Sequence, residues 1–207
     1  MALYKSLKKA LADKENATAL KLKVKEDKLP SELFDLENLT QLFINSDSLA
    51  EIQGDISKLI NLESATIQSR KLEEAPSELL ELPKLKSLNL SLCSIKKLAP
   101  MVAGSSFIEM LNLSSNGLTQ LPQNIEGLEN LKEFNLSGNE LSEIDDRIYF
   151  LTRLKRLNLN SNKLEKLNLK TSQLKYLKIL SIDNNQFPDE EKARIQSELG
   201  LWFENFG

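Results

Sequence analysis

The sequence predicts an α/β solenoid, a right-handed, horseshoe-shaped stack of short coils that share one apolar interior and present a parallel β-sheet on the concave side. Two observations carry this. Segments beginning at Leu39, Leu62, Leu85, Ile108, Leu131, Leu154 and Leu177 start 23 residues apart without a slip. Within each segment the first, fourth, sixth and eleventh places are apolar, as in LKEFNLSGNEL from Leu131 to Leu141. Against a background of 41% apolar residues, independent draws would fill these places so with a probability of about 10 to the minus 11. A repeat of this kind decides the fold before any local element is read.

Each unit then reads in two halves. Apolar residues at the fourth and sixth places, for example Phe134 and Leu136, alternate as in a strand and send their side chains to one face. The third, fifth and seventh places point to the other face. In the second half the apolar residues are wider apart, as at Leu121, Ile125 and Leu128, with prolines such as Pro30, Pro76 and Pro122 ending the extended stretch. A return turn or short helical piece fits there. A 23-residue unit cannot bury enough surface alone, so neighbouring coils must stack. Eight coils at the spacing of parallel strands give a sheet on the order of 35 Å long, bent with the tighter-packing strands inside.

The ninth place holds Asn116, Asn139, Asn162 and Asn185, where an amide can satisfy backbone groups left open as the strand turns away. Asp47, Arg70 and Cys93 occupy this ladder column in the earlier repeats. The unit IEMLNLSSNGLTQLPQNIEGLENL, from Ile108 to Leu131, resembles the leucine-rich-repeat superfamily, and its length and LPxxI segment resemble the bacterial and Ras-group intracellular members. The resemblance covers residues 17–187, about eight repeats in a single domain of residues 1–207. It implies binding of a protein or peptide on the concave face. An additional coil from Ala17 to Leu36 fits if one residue is deleted.

Both ends read as lids. Leu3, Leu7, Ala10 and Leu11 follow helical spacing and predict a helix over residues 2–13 within an N-terminal cap, residues 1–16. PDEEKARIQSELG predicts a helix with acids in its first turn and Gly200 as its stop, and Trp202, Phe203 and Phe206 then supply an aromatic plug within residues 188–207.

Composition removes much chemistry. There is no histidine, which takes away the commonest general base, the usual nucleophile pairs and most zinc sites. The seven glycines form no phosphate loop. No enzyme activity, cofactor or metal is therefore expected. The pairs Glu73-Glu74 and Asp145-Asp146 read as solvated surface, and Cys93 as a small buried residue. Formal net charge is -3 and the pI about 5.3, from which no nucleic-acid partner is expected. Without a signal peptide or a membrane-length apolar run, the expectation is a cytoplasmic, monomeric protein off the membrane, its NxS/T tripeptides unmodified. Export by a specialised route stays open.

The outward columns name the candidate surface. Its members are Phe43, Asn45, Ser64, Thr66, Gln68, Asn89, Ser91, Met110, Asn112, Glu133 and Arg156. Asparagine at the fifth place and serine at the seventh are common wording in the repeat class, so departures say more. Phe43 on a strand face is a binding candidate, since aromatics concentrate binding energy. Met110, Glu133 and Arg156 form a second group, in which Glu133 and Arg156 could pair across strands. With Asp47 and Arg70 nearby, the expected footprint covers the first four coils. The leading function is a non-enzymatic interaction module. The alternatives are a bacterial effector acting on another cell's protein, for whose usual enzymatic domain residues 188–207 leave no room, and a self-associating structural protein.

Overall fold

The computed structural model describes residues 3–102, 104–168, 170 and 173–199. Among these, eleven strands follow in chain order: β1 (Leu3–Tyr4), β2 (Ala19–Val24), β3 (Gln41–Ser46), β4 (Ser64–Ser69), β5 (Glu74–Ala75), β6 (Ser87–Asn89), β7 (Lys97–Leu98), β8 (Met110–Asn112), β9 (Glu133–Asn135), β10 (Arg156–Asn158) and β11 (Ile179–Ser181). The helices are α1 (Leu7–Leu11), α2 (Ser77–Leu80) and α3 (Asp189–Leu199). Nine strands form one parallel sheet in the order β1-β2-β3-β4-β6-β8-β9-β10-β11, while β5 and β7 pair separately on the return side. It is the horseshoe solenoid that the repeat predicts.

Register follows the repeat. From β3 onward, partners lie one 23-residue unit apart, as in Ser64↔Ser87 and Arg156↔Ile179. The first coil is one residue shorter, since Ala19 pairs with Gln41, which is the deletion the sequence required. The fourth and sixth places turn inward, and nearly all the apolar frame is buried; Leu177 and Leu180, in the last coil, are only partly so. On the return side most coils close with a single 3-10 turn, such as Gly54–Lys58 or Asp146–Phe150.

The coil from Leu85 departs from this rule. Val102 stands where Ile125 and Ile148 are buried in later coils, yet it faces solvent. Met101 covers the gap by lying against Gly127, where a Cβ would sit 2.7 Å from its terminal methyl, so a larger residue there would displace the Met101 side chain. The hydroxyl of Ser106 is buried there without a hydrogen-bond partner.

The N-terminal lid differs from the helix expected over residues 2–13. Leu3 and Tyr4 instead form β1, pairing in parallel with Ala19 and Leu20. An open strand edge leaves backbone groups unpaired, and this short strand covers the start of β2. The helix is confined to Leu7–Leu11, with Ala10 fully buried and Leu7 and Leu11 packed on the core. Leu3, outside that stripe, stays exposed.

At the other end α3 is stapled to the last coil. Glu191 accepts from the Leu167 N–H at 2.8 Å, Arg194 donates to the Leu167 carbonyl at 2.9 Å, and the two side chains pair at 2.7 Å. Ile195 is buried beneath. The expected stop at Gly200 and the plug of Trp202, Phe203 and Phe206 lie outside the described residues. No described helix is long and apolar enough to cross a membrane.

Candidate functional site

The concave face is held by a ladder at its strand exits. Asn139 donates through Nδ2 to the Leu113 carbonyl at 3.0 Å and the Leu136 carbonyl at 2.8 Å, while its Oδ1 accepts from the N–H groups of Asn116 and Leu118. Asn116, Asn162 and Asn185 repeat the pattern, each binding the sixth-place carbonyl of its own coil and of the coil before. These carbonyls need a partner because the later strands end at the fifth place.

The ladder expected at Asp47 and Arg70 does not form there. Both side chains are exposed. β3 and β4 run six residues and pair through the eighth place, where Ser46 and Ser69 are buried instead. The Ser46 hydroxyl accepts from the N–H groups of Ser48 and Leu49, and that of Ser69 donates to the Leu49 carbonyl at 2.6 Å. Cys93 sits between the two regimes, its thiol 3.3 Å from both the Ser69 N–H and the Ile67 carbonyl. Burial pushes that thiol's pKa up, with the Ser69 N–H opposing, so it is a poor nucleophile.

The outward columns are where alternation puts them, with differences that matter. Ser91 is a correction: it is 7% exposed, because Gln68 lies over it and donates to its hydroxyl at 3.2 Å. Asn89 and Asn112 spend their Oδ1 locally, accepting from the N–H of Ser91 and of Ser114 at 2.9 Å each. Asn135 and Asn158 do the same. Among the described residues their amide nitrogens make no hydrogen bond, which leaves them as donors on this face. Phe43, flanked in register by Lys21 and Thr66, is half-buried rather than projecting. Asn45 is exposed, and Ser64, Thr66 and Gln68 are half-exposed.

The apolar groups that do project are Met110, 42% exposed, and Ile179, 44%. They flank Glu133 and Arg156, whose charged groups approach to 3.9 Å. These four line a cavity of about 450 Å³ over β6–β11, together with Ser87, the Asn89–Asn112–Asn135–Asn158 row and Ser181. The structure thus gathers Asn89, Met110, Asn112, Glu133 and Arg156, and leaves Phe43, Asn45, Ser64, Thr66 and Gln68 outside. Ser87, Asn135, Asn158, Ile179 and Ser181 stood in the outward columns, but nothing in the sequence marked that end as the one that forms a cavity. Among the described residues no group of cysteines and carboxylates is placed to hold a metal ion.

The paired carboxylates are tied down elsewhere. Glu73 and Glu74 meet Lys96 and Lys97 at 2.9 and 2.7 Å. Burial works against ionisation of Asp145, but the Arg147 guanidinium and backbone N–H outweigh it and hold the carboxyl below its ordinary range.

Residues 83–141 and 106–164 match the family model described as leucine rich repeat. The repeats of that stretch are leucine-rich repeats. No curated protein matches it by sequence. Among solved structures, the solenoid is similar to TLR13 in the TLR13-ssRNA13 complex, at 21% identity and a TM-score of 0.68, with 88% of this chain covered. A Leptospira interrogans leucine-rich-repeat protein aligns over 93% of this chain at 24% identity and a TM-score of 0.47. The chain spans 27% of the TLR13 chain and 62% of the Leptospira one. The first of these corrects the expectation of no nucleic-acid partner. A leucine-rich-repeat chain of this fold is solved in complex with ssRNA, so overall acidity does not remove that partner class from the fold.

Proposed function

We propose that this leucine-rich-repeat chain is a non-enzymatic interaction module that takes an extended stretch of a protein or peptide across its concave face, over β6–β11. The observation that carries the reading is the 450 Å³ cavity in which Met110 and Ile179 project beside Glu133 and Arg156. That concavity sets two apolar anchors among convergent polar groups, which can fix the orientation of a bound chain. The Glu133–Arg156 pair is about half exposed on both sides, so it contributes little to folding and both charges can re-pair with a partner. The outward amide nitrogens of Asn112 and Asn135 add donors for a peptide backbone. The missing histidine and the locally bound asparagine oxygens support binding rather than catalysis.

The test is to select peptides against the full chain by display and to measure the best of them on Met110→Lys/Ile179→Lys, with Phe150→Ala on the return side as control. Affinity should fall at least about tenfold, some 1.4 kcal/mol, in the first variant and hold in the second. Equal affinity on all three proteins discards the cavity. Because TLR13 is solved with ssRNA, a labelled single-stranded oligoribonucleotide runs alongside, and RNA bound at this face with no peptide selected overturns the protein-partner reading.

A further inference from the structure

We infer that the N-terminal end of the concave face carries a second subsite, formed by Lys5, Lys21, Lys23 and Asn45, that binds an acidic segment of the partner; this rests on the concave-face reading above. The four residues line their own cavity of about 390 Å³, with Leu22 as its apolar part. Strand geometry brings them together. Leu3 and Tyr4 pair with Ala19 and Leu20, which sets Lys5 beside Lys21, and period two puts Lys21 and Lys23 on one face. Lys23 in turn lies opposite Asn45.

Several lysines of the solenoid are neutralised from one coil to the next. Lys28 meets Glu51, Lys96 meets Glu73, Lys132 meets Glu109 and Lys163 meets Glu140, all between 2.7 and 2.9 Å. The lysines around this cavity have no such partner at close range. Among the described residues Lys5 and Lys21 make no ion pair, and Lys23 reaches only Asp47, at 4.0 Å, with both side chains largely in solvent. Like charges set side by side on neighbouring strands oppose folding. Protection of an open sheet edge calls for charge but not for three charges of one sign around a cavity. Three ammonium groups and an amide are matched by an acceptor-only anion, and carboxylates are of that kind.

A peptide fits better here than a nucleic acid. Phosphate backbones are met by cations distributed along their track, whereas this face is basic at one end and carries Glu133 and Asp183 further along. From β2 to β8 is four strand steps, about 19 Å, which some six extended residues span. The partner therefore places its acidic segment about six residues from the apolar group held at Met110.

The experiment is an amide NMR titration of the full chain with hexaglutamate as probe. Shifts should concentrate at residues 5, 21–23 and 45 and fade with added salt. Lys5→Glu/Lys21→Glu/Lys23→Glu keeps the strand edge charged but reverses its sign, and should bind the probe about tenfold more weakly or worse; the Gln versions should fall between. Unchanged affinity in the Glu variant, shifts spread over lysines throughout the chain, or tighter binding of a single-stranded oligoribonucleotide at the same amides would each overturn the assignment. A display-selected peptide that still loses affinity on Met110→Lys/Ile179→Lys while hexaglutamate fails to bind would sink this subsite and leave the concave-face reading standing.

Discussion

The coils of β3 and β4 and those of β8 to β11 bury the same apolar places, yet they end their strands differently. In the first group the strands run six residues and a buried serine closes the eighth place. In the second, the strands end at the fifth place, the eighth is left-handed at Ser115, Gly138, Ser161 and Asn184, and an asparagine closes the ninth. Backbone hydrogen bonding is obligatory in both. The apolar frame fixes the coil, and the polar closure can be solved in more than one way around it.

The comparison breaks most sharply at Asn139. Asn139→Ala leaves the N–H groups of Asn116 and Leu118 without their acceptor, while the Leu113 and Leu136 carbonyls each keep one of two amide donors; at about 1 to 3 kcal/mol for each unsatisfied buried group the loss should be about 2 to 6 kcal/mol in urea unfolding. Ser69→Ala, which removes one short hydroxyl bond, should lose about 1 to 2 kcal/mol. Equal losses would erase the distinction between the two closures.

Leu92 sharpens it. This residue is the first left-handed eighth place, with φ of 59°, and it carries a branched side chain that is 50% exposed. Side chains other than glycine, asparagine and aspartate pay about 1 to 2 kcal/mol in that region. Leu92→Asn copies Asn184 and should stabilise the chain by about 1 kcal/mol, a rise in Tm of about 2 to 4 °C for this size. A lower melting temperature would show that Leu92 is held by packing instead.

The smallest effect concerns the C-terminal lid. Arg194 holds the Glu191 carboxyl below its ordinary range, against burial and with help from the Leu167 N–H. The folded pKa is thus lower than the unfolded one, so the contribution is complete above the usual glutamate value of about 4.3 and disappears as pH falls through the depressed folded value. Glu191→Gln should melt earlier than the parent at neutral pH, and the gap should close on acidification below about pH 4. A gap independent of pH would place the effect outside ionisation.

The frame was legible because stacking forces one residue type into one place in every coil, so Leu111 and Leu157 announce themselves by position alone. The Asn ladder was legible for the same reason. Ser46 and Ser69 were not, because a serine in a strand has the same wording whether it is exposed or buried, and the length of β3 and β4 depends on pairing between coils. Phe43 looked like a projecting aromatic and is half covered, whereas the groups lining the cavity are a methionine, an isoleucine and a charge pair whose position along the arc is set by curvature. Curvature has no signature in a single repeat. β1 was missed because two residues are too few to show a period of any kind.

The unbroken register from Gln41 to Ser181 makes the number of coils an adjustable length. Every ladder asparagine ties its own coil only to the ones beside it, so a second copy of residues 131–153 spliced in after the first would meet familiar neighbours on both sides. The arc would grow by one strand spacing, about 4.8 Å, both lids would stay as they are, and the distance between the lysine end and Ile179 would increase by that increment. Reach across the sheet is thus a quantity this architecture can gain or lose in whole turns.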